Sequence, residues 1–505
     1  MSQVHPRVAR HSRGLTFLLD TNIVIPAEPT SPDFAECGTR AICALLGLLN
    51  SGGHRYFLHP ASLRELATDK DPQRRQLRAD LCTKYTELPA PPAIGSGITS
   101  VLGTAEPTSH DFVDHSLLAA LVHNAADYVV SEDLDLLRKA SRLGLRERVA
   151  SVAEALVVVR GLFPERPIPP PHVREIFSHE LDGNDPIFNS FRQDYPGFDL
   201  WLAKVQREHR HAWRIDTPGA GIAAFTIVKP ETESEPRFGG NALKICSIKV
   251  SEDSQGFCFG ELLLKTVFEH AFANRHDCIY VTVLPKYSEL IDLLEGFGFC
   301  QQPIVRERGE LTLLKRLACE EDESSRLEPL EFHILFGPRC VKSDGAGLFV
   351  VPVRPEFHAM LFPEAEVQMS AIARKARFAT AIRKAYVCRA PTRQMRPGSL
   401  MLFYRSHDLH HVTCVGVAES ALRSADPTEV ARFVGKRAVY SYRQIEEMCL
   451  RPVLATLFRQ AWILKRPVAL GELKSHGVIN AAPQSITRVL PGGRKWLVRR
   501  IDESP

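Results

Sequence analysis

The sequence lacks several signals that would assign it to a class at once. No apolar run approaches the ~18 residues of a membrane span. After the polar, basic N-terminus (Met1–Gly14) the apolar segment covers only five residues, Leu15–Leu19, too few for a signal-peptide core. Twelve cysteines are scattered without a Cys-x-x-Cys pair, so neither a zinc knuckle nor a disulfide framework is signalled. That usage fits a reducing, cytoplasmic setting. Charge of one sign is also scarce. The net charge of +4 means that affinity for nucleic acid has to come from local patches. No internal repeat is visible. What remains is ordinary for folded protein, 44% hydrophobic and 24% charged, in a chain of 505 residues, long enough for about three domains.

Two breaks divide the chain. Phe163–Val173 holds five prolines, which forbid helix and favour an extended spacer. Ala318–Leu330 contains Glu-Glu-Asp-Glu-Ser-Ser, an acidic, solvated linker. The expected domains are 1–163, 174–318 and 331–500.

The first segment alternates strand-like and helix-like stretches, which predicts α/β with a parallel sheet. Cys37–Leu49 reads as a helix ended by Ser51-Gly52-Gly53. Acidic residues follow its short apolar runs: Asp20 after Thr16–Leu19, Glu65 after Tyr56–Leu58, and Asp133 and Asp135 after Tyr128–Val130. Asp114 opens a helical run, Asp114–Asp127, with Leu117, Leu118 and Leu121 turned inward. Each acid alone reads as a helix cap or turn residue. Together, carboxylates at successive strand ends can converge on one side of a parallel sheet. With no matching Lys or Arg evident, such a cluster calls for a hard cation.

These residues resemble the PIN-domain nuclease family. Leu-Leu-Asp-Thr-Asn at 18–22 looks like its opening strand and first acid, Ser-Leu-Arg-Glu-Leu like its second, and Asp-His-Ser-Leu-Leu-Ala-Ala like its third. Val-Val-Ser-Glu-Asp-Leu-Asp-Leu-Leu at 129–137 looks like the closing motif. The resemblance implies a Mg²⁺- or Mn²⁺-dependent endoribonuclease, with Asp20, Asp114 and Asp133 binding the metal and Glu65 supporting it or a second ion. Thr21 and Asn22 would orient ligands or hold the scissile phosphate. Asp111 and Asp135 are outer candidates, and His59 and His115 are given no role.

In the second segment, Lys244–Val250 reads as a strand, followed by a turn at 251–260 and a helix from Glu261 to about Asn274. A strand, a small-residue turn and a helix N-terminus make an anion cradle. A strand at Cys278–Leu284, a helix at Tyr287–Leu294 and Gly-Phe-Gly-Phe at 296–299 come next, with a strand expected within Glu310–Leu317. The pattern looks like the GNAT acetyltransferase family over about 210–318. Gln255, Gly256, Phe257, Cys258, Phe259 and Gly260 match its acetyl-CoA pyrophosphate turn, and Ile248 and Val250 precede it. The resemblance implies acetyl-CoA as cofactor, with the acceptor entering beside Ala242–Val250. Two positions depart: Cys258 replaces a glycine, and Leu294 stands where many members carry a tyrosine that protonates the departing thiolate. Tyr287 is the substitute candidate. A fold kept for structure or partner binding is the alternative, and acetyl transfer stays open.

From Ala371 to His407 there are nine Lys or Arg and no Asp or Glu: Arg374, Lys375, Arg377, Arg383, Lys384, Arg389, Arg393, Arg396 and Arg405. Such a bias points to a phosphate-contacting surface. Tyr386, Phe403 and Tyr404 within it are candidates for stacking on bases; the alternative is a solvated basic face over ordinary core. Strands are expected after Arg396-Pro-Gly-Ser and at Val412–Glu419, and helices at Pro427–Val434 and Tyr440–Met448. The order resembles the PUA-like superfamily with its ASCH and EVE branches over about 380–495, which implies a small β-barrel that binds RNA. Arg383, Lys384, Arg396, Tyr404, Arg405 and Gln484 are the candidate contacts.

The combined expectation is an RNA endonuclease fused to a GNAT-like and a PUA-like domain, acting on RNA (tRNA among the candidates) as a toxin or stress factor, with an antitoxin-like inhibitor as a further partner. The rivals are an acetyltransferase with a scaffold-only first domain and a non-catalytic RNA-binding adaptor.

Overall fold

Thr16–Leu19 is fully buried along its length, and a short apolar run of that kind suits a strand covered on both faces of a parallel sheet. In the computed structural model it is the central strand of such a sheet. The structure describes residues 14–28, 39–68, 70–163, 173–217, 221–231, 238, 240–251, 254, 257–304, 309–319, 325–365, 381–437 and 439–502. Gln255, Gly256, Arg374, Lys375 and Arg377 therefore lie outside the described residues.

The chain divides into two compact units, Met1–Glu165 with Asp426–Glu447, and Arg166–Ala425 with Met448–Pro505. In the first, strands β1 (Thr16–Leu19), β2 (Arg55–Leu58), β3 (Thr86–Glu87), β4 (Tyr128–Val130) and β5 (Val149–Ala150) run parallel in the order β3-β2-β1-β4-β5. The order reverses between β1 and β4, which opens a crevice at their carboxyl ends. The helix His110–Val122 packs Leu117, Leu118 and Leu121 into a core with Leu18, Val129 and Leu136. It starts four residues before the expected Asp114, because Ser109 accepts the N–H of Phe112 and caps it there (3.2 Å). Asp114 thus sits beyond the first turn.

Part of the third sequence segment belongs to this unit. Arg432, on the helix Pro427–Val434, donates to Asn124 Oδ1 at 2.9 Å and approaches Asp127 at 3.4 Å. Tyr442 stacks on Phe163 with ring centroids 5.3 Å apart.

The second unit carries two sheets. One has seven strands: β6 (Val173–Phe177), β7 (His211–Thr217), β8 (Gly221–Glu231), β9 (Ala242–Val250), β10 (Cys278–Val283), β11 (Cys300–Gln302) and β12 (Leu311–Arg316), in the order β11-β12-β10-β9-β8-β7-β6. Every pairing is antiparallel except β9 with β10, and the helix Phe259–Ala273 makes the crossover between those two. The other has six strands: β13 (Leu348–Val353), β14 (Arg383–Cys388), β15 (Leu400–Arg405), β16 (His411–Ser424), β17 (Val453–Ala469) and β18 (Thr487–Arg488), in the order β14-β17-β16-β15-β13-β18. Among the described residues β14 and β18 do not pair, so the expected barrel is instead an open mixed sheet. Long β16 and β17 absorb three register shifts between them, and such bulges bend the sheet. The helix Phe259–Ala273 is tied to the six-stranded sheet by Glu261 with Arg383 of β14 (3.1 Å) and by Lys265 with Gln460 of β17 (3.3 Å), and Lys265 also pairs with Glu364.

Two histidines in the first unit serve as backbone acceptors. His54 Nδ1 receives the N–H of Leu15 and His59 Nδ1 that of Ala61, both at 3.1 Å. Burial lowers each pKa to about 4, with Arg64 adding to the effect at His59. The unfolded chain therefore binds more protons than the folded one between about pH 4 and 6.5, and stability falls as pH falls through that window. His54→Gln is expected to flatten this slope. Urea denaturation at pH 7 and pH 4.5, compared between the two proteins, measures it.

Candidate functional site

The crevice between β1 and β4 gathers the acids that follow those strands. Asp20 sits at the end of β1 and caps the helix Thr21–Ala27, its Oδ1 accepting the Thr21 N–H at 2.7 Å. Its Oδ2 accepts the Ser131 hydroxyl at 2.6 Å and the Asn22 amide at 2.9 Å. The Asn22 amide also reaches Ser131 Oγ at 3.0 Å, and Asn22 Oδ1 accepts the Glu132 N–H at 3.2 Å. Ser131 Oγ accepts the Asp133 N–H at 3.0 Å, and Asp133 caps the helix Leu134–Arg142 through the Asp135 N–H (2.8 Å). One network thus ties the ends of both central strands together. Asn22 was expected there; Ser131 was not, although its place between Val130 and Glu132 in the closing motif was the available signal.

Asp20 is only 4% exposed, and burial raises its pKa. The bonds from Ser131 and Thr21 oppose that shift, and the charges of Glu65 and Asp133 add to it. Burial likewise pushes Asp114 up to about 6 against the pull of Lys139, with Asp20 and Asp133 contributing. The structure therefore brings Asp20, Asp114 and Asp133 into one electrostatic neighbourhood, with Glu65 close enough to act on Asp20.

The expectation that no basic residue balances these acids is corrected. Lys139 Nζ donates to Asp114 Oδ2 at 2.6 Å and also to Asp111. Burial works against its charge, but the two aspartates hold its pKa above the ordinary value. Lys139 lies on the amphipathic helix after Asp133, 25 residues from Asp114, and no local pattern links the two. Glu65, in the helix Pro60–Leu66, pairs with His110. Asp135 is exposed and pairs with Arg138 at 2.8 Å. His59 caps its own helix, and His115 is buried with its pKa lowered by that burial.

Carboxylate oxygen from four chain positions is the donor chemistry of a hard divalent cation, but no three of these carboxylates bring an oxygen within 4.8 Å of one another. Asp20, Asp114 and Asp133 are the residues that would hold it, and Lys139 would give up Asp114 while keeping Asp111.

In the second unit Ile248 is buried core, and Val250 packs partly against it. Cys258 precedes the helix Phe259–Ala273 with φ +57° and ψ +24°, a left-handed conformation that glycine adopts freely. The matched position thus keeps a glycine-like backbone despite its side chain. Phe257 stacks on Phe259 at 5.5 Å, and a Cβ on Gly260 would meet Leu293 at 3.0 Å. Leu294 is fully buried, whereas Tyr287 bonds the Asp194 carboxylate, which Lys286 also contacts.

The candidate RNA contacts are placed differently from the expectation. Lys384 is 3% exposed and donates to Leu361 O and Gln460 Oε1, and burial lowers its pKa to about 7. Tyr404 is buried with its hydroxyl 3.1 Å from His410 Nδ1, and Tyr386 and Phe403 are buried too. None of these rings is open to a base. Arg383 is held by buried Glu261, and Arg405 grips Asp408 through Nε (3.0 Å) and Nη2 (2.7 Å). Arg396 is exposed at the turn before β15. The strand period explains the difference: in β15 both faces are covered, so a basic run in sequence is not a basic face.

No family model matches the sequence, and no match is found among curated proteins. Solved structures are similar over part of the chain. The ASCH protein of Zymomonas mobilis shares 19% identity over 30% of this chain and 94% of its own, with a TM-score of 0.23. An IAA acetyltransferase from Bacillus cereus shares 16% over 29% of this chain and 98% of its own, with a TM-score of 0.23. A ribosomal-protein-alanine N-acetyltransferase from Brucella melitensis shares 16% over 29% and 99%, again at 0.23. No helix among the described residues is long and apolar enough to cross a membrane.

Ser131→Ala removes a donor to a buried carboxylate. It is expected to destabilise the first unit by about 1–3 kcal/mol at pH 7, with less loss at pH 4.5, where the Asp20 carboxyl is more protonated. Chemical denaturation at the two pH values checks both parts.

Proposed function

We propose that the first unit is a divalent-metal-dependent RNA phosphodiesterase of the PIN-like kind, with Asp20, Asp114 and Asp133 as metal ligands and Glu65 in support. The observation that carries this reading is the position of Asp20. Its buried carboxylate ends the central strand at the crevice where strand order reverses, and the charges of Glu65 and Asp133 bear on it. When bound, the cation would supply an acidified water and neutralise charge on the phosphate. The chain's own residues then have separate tasks. Ser131 and Asn22 hold the rotamer of Asp20 by donating to its Oδ2. Lys139, released from Asp114, offers an ammonium to a phosphate oxygen from a side chain still anchored by Asp111. Asp133, held by its own helix N-terminus, closes the opposite side.

In the same reading the second unit binds acetyl-CoA at the turn before Phe259. The left-handed Cys258 and the N-terminus of the 15-residue helix support it, because the first turn of a helix offers backbone N–H groups to an anion. Tyr287, bonded to Asp194, is the hydroxyl available for proton transfer. The ASCH-like part supplies RNA contacts through exposed Arg396 and not through Lys384 or Tyr404.

The test is cleavage of a mixed RNA pool by the full chain with Mn²⁺. Asp20→Asn and Asp114→Asn are each expected to lower the rate about 10²-fold or more, a few kcal/mol of transition-state stabilisation, with far-UV circular dichroism unchanged. Equal rates in wild type and both variants would refute the assignment. Retention of labelled acetyl-CoA in equilibrium dialysis by the same variants would show that the second site is independent.

A further inference from the structure

A second constellation of ligand-type side chains lies away from the carboxylates, on the seven-stranded sheet. Strands β6 and β7 are antiparallel, with Glu175 opposite Trp213 and Phe177 opposite His211. Glu175 and His211 are therefore diagonal neighbours on one face. The helix Phe259–Ala273 packs on that face through a core that includes Trp213, and His270 lies in its last turn. The His270 ring is 5.0 Å from that of His211 and 5.1 Å from that of Trp213. One donor atom from each of Glu175, His211 and His270 lies within 4.8 Å of the others, a grouping that among the described residues occurs here alone.

Two further observations bear on what this group is for. His211 Nδ1 is buried and makes no hydrogen bond, which is costly for a polar atom. Its neighbour Glu175 Oε1 stands 3.7 Å off, beyond hydrogen-bond reach but within the reach of a shared ion. Donors around a tetrahedral ion with bonds of about 2.0–2.1 Å lie roughly 3.3 Å apart, so the Glu175–His211 pair at 3.7 Å needs a shift of a few tenths of an ångström, and His270, within 4.8 Å of both, needs at most about 1.5 Å. The His270 position adds a field. The C-terminal turn of a 15-residue helix carries the negative end of its dipole, which favours a cation beside it.

We propose that Glu175, His211 and His270 form a site for one divalent transition-metal ion of the zinc class, with a fourth position open to water or an exogenous ligand. Two imidazoles and one carboxylate suit zinc or cobalt and not magnesium, which prefers oxygen alone. The ordinary alternative, a solvated His–Glu contact on a strand, leaves the buried Nδ1 without a partner. Because β6 is an edge strand of its sheet, the ion would staple that edge to the helix end.

The experiment uses the full chain carrying Asp20→Asn and Asp114→Asn, so that the carboxylate crevice does not contribute. After treatment with chelator, Co²⁺ is titrated in and the visible absorption of four-coordinate cobalt is followed. Zn²⁺ is then added to displace it. One equivalent is expected, with a rise in Tm on adding Zn²⁺. His211→Gln and His270→Gln are each expected to remove the band or weaken binding at least tenfold. Glu175→Gln, at an exposed position that folding tolerates, is expected to weaken it by a similar factor and serves if a histidine variant fails to fold. Absence of the band in the parent, or a stoichiometry and affinity that Glu175→Gln leaves unchanged, would overturn the proposal.

Discussion

The first unit depends on a carboxylate placed where water is largely excluded. Asp20 ends the central strand, so its position is set by the sheet and not by its own preferences. Burial there raises its pKa, and the charges of Glu65 and Asp133 add to the effect. Three donors oppose that outcome, and each comes from an element that must be in place: Thr21 from the helix that follows, Asn22 from its first turn, Ser131 from the neighbouring strand. The same bonds fix β1 against β4 at the level of the crevice. The chemistry available to the unit and the registry of its central strands therefore rest on one network.

Lys139 shows how such a cluster is made tolerable. Burial raises the pKa of Asp114 most, and repulsion from Asp20 and Asp133 adds to it. A lysine that bridges two carboxylates relieves the repulsion without filling the whole cleft. A lysine is suited to this because its ammonium is a compact point charge on a flexible stem and can exchange partners. An arginine gripping one carboxylate in both hands, as Arg405 grips Asp408, would be a poorer guest to dislodge.

The second unit uses buried charge differently. Lys265 and Glu364, Arg383 and Glu261, and Arg459 and Glu419 are ion pairs in which at least one partner is deeply buried. Each guanidinium or ammonium is committed to a carboxylate, Arg383 among the candidate RNA contacts included. Removing one partner would strand the other, which is far costlier than losing a surface pair. The pair Arg383–Glu261 joins the helix Phe259–Ala273 to β14 of the six-stranded sheet, and so Arg383 belongs to that junction.

By itself the sequence determined the local elements: apolar runs ending at Asp20 and Val130, helices announced by their caps, the strand–turn–helix leading to Phe259, and Pro427–Val434 to the residue. These follow from short-range periodicity and capping, which a chain carries in adjacent positions. It also carried the four acids, because each stands next to such a run. What only the tertiary structure decided is who meets whom across long separations. Ser131 on Asp20, Lys139 on Asp114, the burial of Lys384 and Tyr404, and Glu175, His211 and His270 on one face all depend on strand order and helix packing. No pattern of neighbouring residues encodes that order, because contacts between distant segments are settled by burial summed over the whole sheet.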